Sequence, residues 1–514
     1  MSNLSELIPA GGGQNNTDFV ASGNIASGKP VILNSTGTAT QVAETSSPVT
    51  GAIYDLETVA AGTQYSIGSC YDTAANKVVL CFGNSYNSIY MTSVVGTVTS
   101  ENVVWETPVV IASVETDFID CCYNTTEGKV VAVGGQSSRP KVFVGTVTGS
   151  TIVWGTTGVD AKATNGYWYF NRIVEWEGTS KVVWVGTSGG TGGYAAVGTI
   201  SGTGTGGTSS WGTAQDVVVD GYNSNYYNGM CYDSGEGDQV LISYKITAGT
   251  SIGGWVRAAT LSGTDISTTP TPIQFTSTAM GNYVNALAYD PVNDKALTVY
   301  GVDPTSGRTT FSRVVSTSGS TVSIGTETAG VFSGTGTGLA YLYWRGLAYC
   351  TQTANFTFFY ENYDGEDGYI TTVSISGTTP VWSNDQTSVN SNETPDGNNT
   401  VVYDPDTQQA VVTYRDKGTS QYLRSGVYRI AGNVLTTNMT ATNLLGIAAG
   451  AITSGASGAI NTWGSRNEVQ TSLTVASDYY VQGDGTITTT STSPAQLIGE
   501  AITATQINIK DYTG

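Results

Sequence analysis

Aromatic residues and asparagines cluster in short segments of the sequence, and this is the pattern in the chain best suited to ligand binding. Three such segments lie at 165–171, 222–228 and 341–345. Aromatic rings stack on the faces of sugar rings, and Asn or Arg side chains bond sugar hydroxyls. The candidate glycan-contacting residues are Tyr167, Trp168, Tyr169, Tyr226, Tyr227, Tyr343, Trp344 and Arg345. The alternative is that these rings fill gaps between packed sheets.

Histidine is absent from the 514 residues. Its absence excludes Ser-His-Asp and Cys-His catalysis, and it excludes zinc sites with histidine ligands. Paired carboxylates remain as a catalytic option, but no cluster of Asp and Glu recurs at equivalent places in the chain. We therefore expect a protein that is not an enzyme. The alternative is a glycoside hydrolase or lyase that uses two carboxylates.

Two loops invite a cofactor interpretation. Asp364, Glu366 and Asp367 form an acidic, glycine-rich turn that could bind Ca²⁺, although it does not match an EF-hand. A solvated acidic turn is the favoured interpretation. The glycine-rich segment 202–207 follows a strand, but no helix follows it to hold a phosphate group. We therefore expect no cofactor.

The six cysteines show no CxxC spacing, which argues against a zinc ribbon or a thioredoxin-like site. Several of them occupy one position of a repeat at which Ala and Val also occur, so small buried side chains fit this position. We expect buried thiols, as in proteins that fold in a reducing cytoplasm. Disulfides between neighbouring inner strands are the alternative.

The charge balance limits the partners. Lys and Arg number 20 and Asp and Glu number 40, so the net charge is −20 at pH 7. No basic patch is present to neutralise phosphates, so we expect no nucleic-acid binding. No segment of 18 apolar residues occurs, and residues 1–6 lack the features of a secretory signal. Membrane insertion and secretion by a signal peptide are therefore not expected.

One phrase recurs seven times: an apolar strand ends in an aromatic anchor, a turn follows, and a second apolar run begins. The anchors are Tyr71, Tyr123, Trp176, Tyr232, Tyr289, Tyr349 and Tyr403. Their spacing of 52 to 60 residues is typical of propellers, and each unit contains four alternating strands. The pattern predicts an all-β fold with a seven-bladed β-propeller of four-stranded blades at 62–440. The Asp that often follows the anchor is interpreted as part of an Asx turn.

The two chain ends carry matching hairpin signals, around Lys29–Thr40 and Tyr479–Thr488. Because the first and last blades of a closed ring are neighbours, both ends can build one domain. We predict an extended arm at 1–17 and a small terminal β domain formed by 18–61 with 441–514. The propeller is then an insertion into this attachment domain.

The segments 7–13, 479–486 and 501–510 resemble the ends of virion structural proteins of tailed phages of marine bacteria, of the tail-fibre or head-surface type. The resemblance is confined to the chain ends and transfers no catalytic residue. It implies a phage structural protein on the virion surface, made in the host cytoplasm and present in many copies or as a homo-oligomer.

In this role the arm and the terminal domain would bind other virion proteins. The propeller would aid host attachment through weak multivalent glycan contacts. The remaining alternative is a secreted, lectin-like adhesin.

Overall fold

The computed structural model is an all-β protein. It describes residues 15–510 except 50–51, 61–62, 100, 137–138, 165, 167, 189–191, 203–205, 218–228, 247–251, 303–308, 331–338, 342–345, 363–367, 385, 390–394, 417–421, 431, 441 and 491–494. Within these residues the one helical element is a short 3-10 turn, Ser85–Asn87. None of the described segments forms a helix that is long and apolar enough to cross a bilayer.

The chain divides into two compact units. The first unit contains 1–49 and 433–514, and the second contains 50–432. In the first unit, strands from both chain ends share one sheet in the order β1-β41-β40-β2-β3. These strands are β1 (Asn16–Val20), β2 (Pro30–Leu33), β3 (Ala39–Gln41), β40 (Leu444–Ala448) and β41 (Ser457–Asn461).

The rest of the first unit comes mainly from the carboxyl end of the chain. Strand β4 (Glu44–Val49) pairs with β39 (Gly432–Thr437) in a two-stranded sheet. A further sheet has the order β42-β46-β45-β43-β44. Its strands are β42 (Arg466–Asn467), β43 (Asp478–Gln482), β44 (Ile487–Thr488), β45 (Ala495–Thr503) and β46 (Gln506–Ile509).

The second unit is a series of antiparallel sheets with mainly four strands each, which gives it a propeller-like architecture. The early strands are β5 (Ala52–Ala60), β6 (Thr63–Asp72), β7 (Lys77–Asn84), β8 (Tyr90–Val98), β9 (Val103–Trp105), β10 (Val109–Asn124), β11 (Lys129–Gln136), β12 (Arg139–Thr148), β13 (Thr151–Trp154) and β14 (Val159–Asp160). Strand β10 serves two sheets, because its first half pairs with β8 and its second half with β11.

The middle repeats follow the same plan. Their strands are β15 (Trp168–Trp176), β16 (Lys181–Ser188), β17 (Gly192–Ser201), β18 (Thr208–Trp211), β19 (Gln215–Asp216), β20 (Gly229–Tyr232), β21 (Gln239–Ile246), β22 (Gly253–Ser262), β23 (Asp265–Ser267), β24 (Ile273–Thr276), β25 (Met280–Asp290), β26 (Lys295–Val302), β27 (Thr309–Ser318), β28 (Thr321–Ile324) and β29 (Thr328–Ala329). In each sheet the strand that carries the anchor lies at one edge, and its next two strands follow in chain order.

The later repeats complete the unit. Their strands are β30 (Leu339–Tyr341), β31 (Leu347–Cys350), β32 (Asn355–Asn362), β33 (Gly368–Ser376), β34 (Thr379–Trp382), β35 (Thr387–Ser388), β36 (Pro395–Asp404), β37 (Gln409–Asp416) and β38 (Leu423–Arg429). The last sheet takes its fourth strand from the beginning of the chain, in the order β36-β37-β38-β5. Residues 52–60 therefore belong to the second unit, whereas the sequence pattern assigned them to the terminal domain.

The hydrophobic core lies between neighbouring sheets. Along β7, Val78, Leu80 and Phe82 pack against Val411 and Val427 of the last sheet. The alternating residues of the same strand, Val79 and Cys81, pack against Val130 and Ala132 of the second sheet. Because both faces of such a strand are buried, it is a continuous apolar run rather than an alternating one. Each sheet thus has two buried faces, and each face packs in the core that the sheet shares with one neighbour.

Tryptophans in the fourth strands link adjacent sheets. Trp105, Trp154 and Trp211 each lie opposite a glycine of the third strand, and the ring occupies the space that a side chain there would need. Indole nitrogens then donate across to the preceding sheet. The bonds are Trp105 Nε1 to Ser425 Oγ (2.6 Å), Trp154 Nε1 to Ser93 Oγ (2.9 Å) and Trp382 Nε1 to Ser312 Oγ (2.9 Å).

Candidate functional site

Of the candidate site residues, Trp168 and Tyr169 lie in the described part of the structure. The other glycan-contact candidates, Tyr167, Tyr226, Tyr227, Tyr343, Trp344 and Arg345, lie outside the described residues. The same holds for the acidic turn of Asp364, Glu366 and Asp367.

Trp168 is an interior residue. Its side chain is 4% exposed, and its ring centroid lies 5.5 Å from that of Trp184 and 5.7 Å from that of Tyr194. It belongs to the core between the second and third sheets, together with Val131 and Val142. For this residue the structure agrees with the packing alternative, because a sugar could not reach the face of a ring that is surrounded by other side chains.

Tyr169, the next residue, is half-buried and belongs to an aromatic cluster with Phe118 and Phe170. Its ring meets Phe118 edge-on, with centroids 5.1 Å apart, and Phe118 and Phe170 are 4.8 Å apart. Phe118 lies on β10 and the other two rings lie on β15. The strand that carries the anchor of a repeat is its inner strand, and the segment before the anchor is its entrance. The cluster therefore joins the entrances of two neighbouring inner strands. Phe118 is also half-buried, whereas Phe170 is buried.

The backbone under this aromatic cluster is strained. The ladder is irregular between Asp117 and Asp120 and again between Tyr169 and Arg172. Phe118 and Phe170 have φ values of 51° and 53°. This left-handed conformation is costly for a residue with a bulky side chain, about 1–3 kcal/mol each, and such strain concentrates at functional positions.

Asn171 holds the two bulges together. Its Nδ2 donates to the backbone oxygen of Phe118 (3.2 Å), and its Oδ1 accepts from Trp184 Nε1 (3.0 Å). The side chain is fully buried, so both bonds are made in an environment where leaving them unmade would be costly. The sequence segment 165–171 pointed to this place, but Phe118 was missed. Phe118 lies five residues before the anchor Tyr123, and Trp344 lies five residues before the anchor Tyr349 of the sixth repeat. This shared position was the signal available in the sequence.

A central cavity of about 640 Å³ lies between the inner strands of the second unit. Its polar lining includes Asp120, Arg172 and Glu175. Arg172 Nη1 lies 3.7 Å from Asp120 Oδ2, and the same carboxylate oxygen accepts from the backbone N of Ile173 (2.9 Å). Burial lowers the pKa of Arg172 to about 9, because the charged guanidinium has lost most of its water.

Glu175 is held at the edge of this cavity by the neighbouring sheet. Its Oε1 accepts from the backbone N of Thr125 (2.7 Å) and from the hydroxyl of the same residue (2.6 Å). Burial raises the pKa of Glu175, and the bonds from Thr125 oppose that rise. Within the described part of the chain, no three or more Cys, Asp or Glu side chains are grouped so as to hold a metal ion.

The anchors and the turns after them join neighbouring sheets. Asp72 Oδ1 accepts from the backbone N of Ala74 (3.0 Å) and Ala75 (2.9 Å), which confirms the predicted Asx turn. Asp290 and Asp404 make the same turn. The pKa of Tyr123 is raised to about 12 by burial and by Asp72 in the turn of the preceding sheet.

Tyr289 makes the corresponding link between the fifth and fourth repeats. It accepts from the backbone N of Gly235 (2.9 Å) and donates to Asp294. The turns that contain Asp72 and Gly235 therefore have a structural role, because each contacts the anchor of the next repeat.

No protein-family model matches the chain, and no curated protein matches it. Among solved structures, the chain is similar to the crystal structure of Chaetomium thermophilum Sqt1 bound to the N-terminus of the ribosomal protein L10. The two chains are 10% identical with a TM-score of 0.41, and the match covers 72% of this chain and 89% of that one. It is also similar to Trypanosoma rangeli sialidase, with 10% identity and a TM-score of 0.39, covering 82% of this chain and 60% of that one. Likeness at this level transfers no function, so the functional argument depends on the residues of the chain itself.

Proposed function

We propose that the protein is a structural component of a phage particle, exposed on its surface, and that it aids host attachment through weak, multivalent contacts with neutral glycans. In this proposal the second unit is a closed seven-bladed propeller and the first unit is the attachment domain. The resemblance at the chain ends supports the particle role. The sharing of one sheet by strands from both ends, β1 and β2 with β40 and β41, supports a single terminal domain.

The observation that carries the glycan proposal is the half-buried pair of Tyr169 and Phe118 on strained bulges at the entrances of two inner strands. A tyrosine ring on a fixed backbone offers stacking area at little entropic cost, and its hydroxyl can bond a sugar. Strain in the left-handed region persists only where the surrounding structure imposes it, and here Asn171 does so. The bulges thus hold the rings in place without a flexible loop.

The charge of the chain favours one class of glycan. A net charge of −20 repels anionic polysaccharides, whereas a neutral sugar meets no such repulsion. One ring pair per protein gives weak binding, and many copies on one particle raise the avidity by about 10²–10⁴. Binding by whole particles is therefore expected to exceed binding by the isolated protein.

The proposed glycan binding is tested by measuring how the protein binds to an array of neutral and anionic bacterial polysaccharides. Tyr169→Ala and Phe118→Asn should each weaken binding about tenfold or more, and Asn is chosen because it tolerates a positive φ. Trp463→Ala is the control, because that ring is 40% exposed but belongs to the first unit. Equal loss with the control variant, or no binding by the parent protein displayed in many copies, would refute glycan binding.

The proposed structural role in the particle has its own test. Antibodies against the protein should label the surface of purified particles in immunogold electron microscopy. If label and mass-spectrometric peptides are absent from purified particles, the structural role fails even where glycan binding is found.

The second candidate function is a glycoside hydrolase, and the central cavity is the observation that favours it. The raised pKa of Glu175 beside a cavity of about 640 Å³ is a property of a general acid. Release of reducing sugars from a polysaccharide that the protein binds, abolished in Glu175→Gln, would establish this activity. Binding without release would leave the protein as a lectin-like surface component.

A further inference from the structure

The inner strands of the first two repeats approach each other unusually closely at Gly68. A side-chain carbon at this position would lie 2.8 Å from Asp120 Cα and 2.9 Å from the backbone N of Cys121. These are backbone atoms that cannot turn aside, so the absence of a side chain at Gly68 allows β10 to lie against β6. The close approach brings the side chain of Cys121 over the first sheet.

Three thiols meet at this place. Gly68 is opposite Cys81 in the ladder of β6 and β7, and Cys70 is opposite Val79, so Cys70 and Cys81 lie on the face of the first sheet that Cys121 meets. All three cysteines are buried in one core cluster with Val79 and Met91. The Cys121 Sγ lies 4.0 Å from the backbone oxygen of Val79, the residue opposite Cys70 in the ladder. Each of the three is a thiol and none is in a disulfide.

Two of the three cysteines border the central cavity. Cys70 and Cys121 line it, as does Cys122, whereas Cys81 lies behind them in the second strand. Because Cys70 and Cys121 are only 7% and 3% exposed, a neutral reagent in the cavity reaches their sulfurs when the inner strands separate locally.

We propose that Cys70 and Cys121 are an oxidation site, and that a low-molecular-weight disulfide entering the cavity converts them into a disulfide that joins the first two repeats. The thiolate of Cys121 attacks the reagent's sulfur–sulfur bond, forms a mixed disulfide and releases one reagent thiol. The thiolate of Cys70 then attacks the Cys121 sulfur and releases the second reagent thiol. The two cysteines lose two protons and two electrons, and the reagent disulfide gains them.

The reaction is slow but has a structural consequence. Burial raises the pKa of the Cys121 thiol, which keeps the reactive thiolate fraction small at neutral pH. Cys70 and Cys121 are 51 positions apart, so the bond closes a large loop of the unfolded chain and stabilises the native state. Two inner strands that otherwise make only noncovalent contacts would become covalently linked.

The test uses the full-length protein and 2-hydroxyethyl disulfide at pH 8.5 over one day. The number of thiols titrated after denaturation should fall from six to four, and peptide mapping should link Cys70 to Cys121. The melting temperature should rise by about 5 °C. Cys121→Ser and Cys70→Ser should abolish the loss of thiols, whereas Cys122→Ser should retain it.

Cys122 is the matched control, because it is the next residue and also lines the cavity. Any of three results would overturn the proposal: six thiols after incubation, a stable mixed disulfide with the reagent, or a link that involves Cys81 or Cys122 in place of the proposed pair. Because the peptide map of the unaltered chain decides the outcome, a variant that fails to fold does not prevent the test.

Discussion

The hydroxyl oxygens of Ser69 and Thr400 lie 2.5 Å apart, although 331 residues separate them in the sequence. Ser69 lies on β6 and Thr400 on β36, so the inner strands of the first and last repeats are neighbours. Trp105 Nε1 makes a second link between the same repeats through Ser425. The strand β5 then completes the last sheet by pairing with β38, which ties the beginning of the second unit to its end.

This closure predicts where the second unit can be cut. A fragment of residues 50–432 retains β5 and should unfold in one cooperative melt. A fragment of residues 62–440 lacks β5, leaves the edge of β38 unpaired and removes Val59 from the core with Leu80 and Val427. It should melt at a lower temperature or aggregate. Differential scanning calorimetry of the two fragments checks this prediction.

A fragment pair with equal melting temperatures would show that β5 contributes nothing to the stability of the unit. Adding a synthetic peptide of residues 50–61 to the shorter fragment provides the control. If the missing strand is the cause, the peptide should raise the melting temperature, since its pairing with β38 needs no covalent connection.

The repeat architecture was accessible from the sequence because it depends on local, recurring patterns. The spacing of anchors such as Tyr71 and Tyr123 marks each unit, and Asp72 specifies its own turn through bonds two and three residues away. The closing role of β5 was not accessible, because its partner β38 begins more than 360 residues further along the chain. Nothing local distinguishes a closing strand from a strand of the terminal domain.

The candidate site was only partly accessible for a related reason. The segment 165–171 indicated an aromatic entrance, but composition cannot tell which of two consecutive rings faces the core. Trp168 and Tyr169 point to opposite sides of one strand, so one is buried and the other is half-buried. Phe118 reaches the same place from another repeat, and that contact depends on the packing of sheets rather than on the pattern of either segment.

The two neighbouring rings should differ in their contribution to stability. Trp168→Ala removes a buried ring that contacts Trp184 and Tyr194, and we expect a loss of about 3–5 kcal/mol in the free energy of unfolding. Tyr169→Ala should cost much less, because the ring is half-buried and makes edge contacts. Thermal melts followed by far-ultraviolet circular dichroism compare the two variants. Equal losses would contradict the assignment of Trp168 to the core.

Gly68 should be intolerant of any side chain. In Gly68→Ala the new carbon meets the backbone of Asp120 and Cys121 at less than 3 Å, so β6 and β10 must separate. We expect a loss of roughly 1–3 kcal/mol, as for overpacked core positions. Gly450→Ala is the control, because nothing lies within 4 Å of its new carbon. A Gly68→Ala protein with the parental urea midpoint would show that the two strands are not in close contact.

The tyrosine anchors predict how stability changes at alkaline pH. Burial and the nearby Asp72 raise the pKa of Tyr123 from 10.0 to about 12, and burial with Glu177 raises the pKa of Tyr232 to about 12. An acid whose pKa is higher in the folded state is held in its neutral form by folding, so its contribution is complete below pH 10 and is lost as the pH rises toward 12. The urea midpoint of the parent protein should therefore fall steeply over this range.

Tyr123→Phe should lower the midpoint at pH 8, because the hydroxyl contact is lost, but should show a shallower fall above pH 10. Tyr86→Phe, which alters a ring that is 69% exposed, is the control and should follow the parent profile. Parallel profiles for the parent protein and Tyr123→Phe would mean that the anchor hydroxyl does not face a carboxylate of the preceding repeat, and the link between the first two repeats would need another explanation.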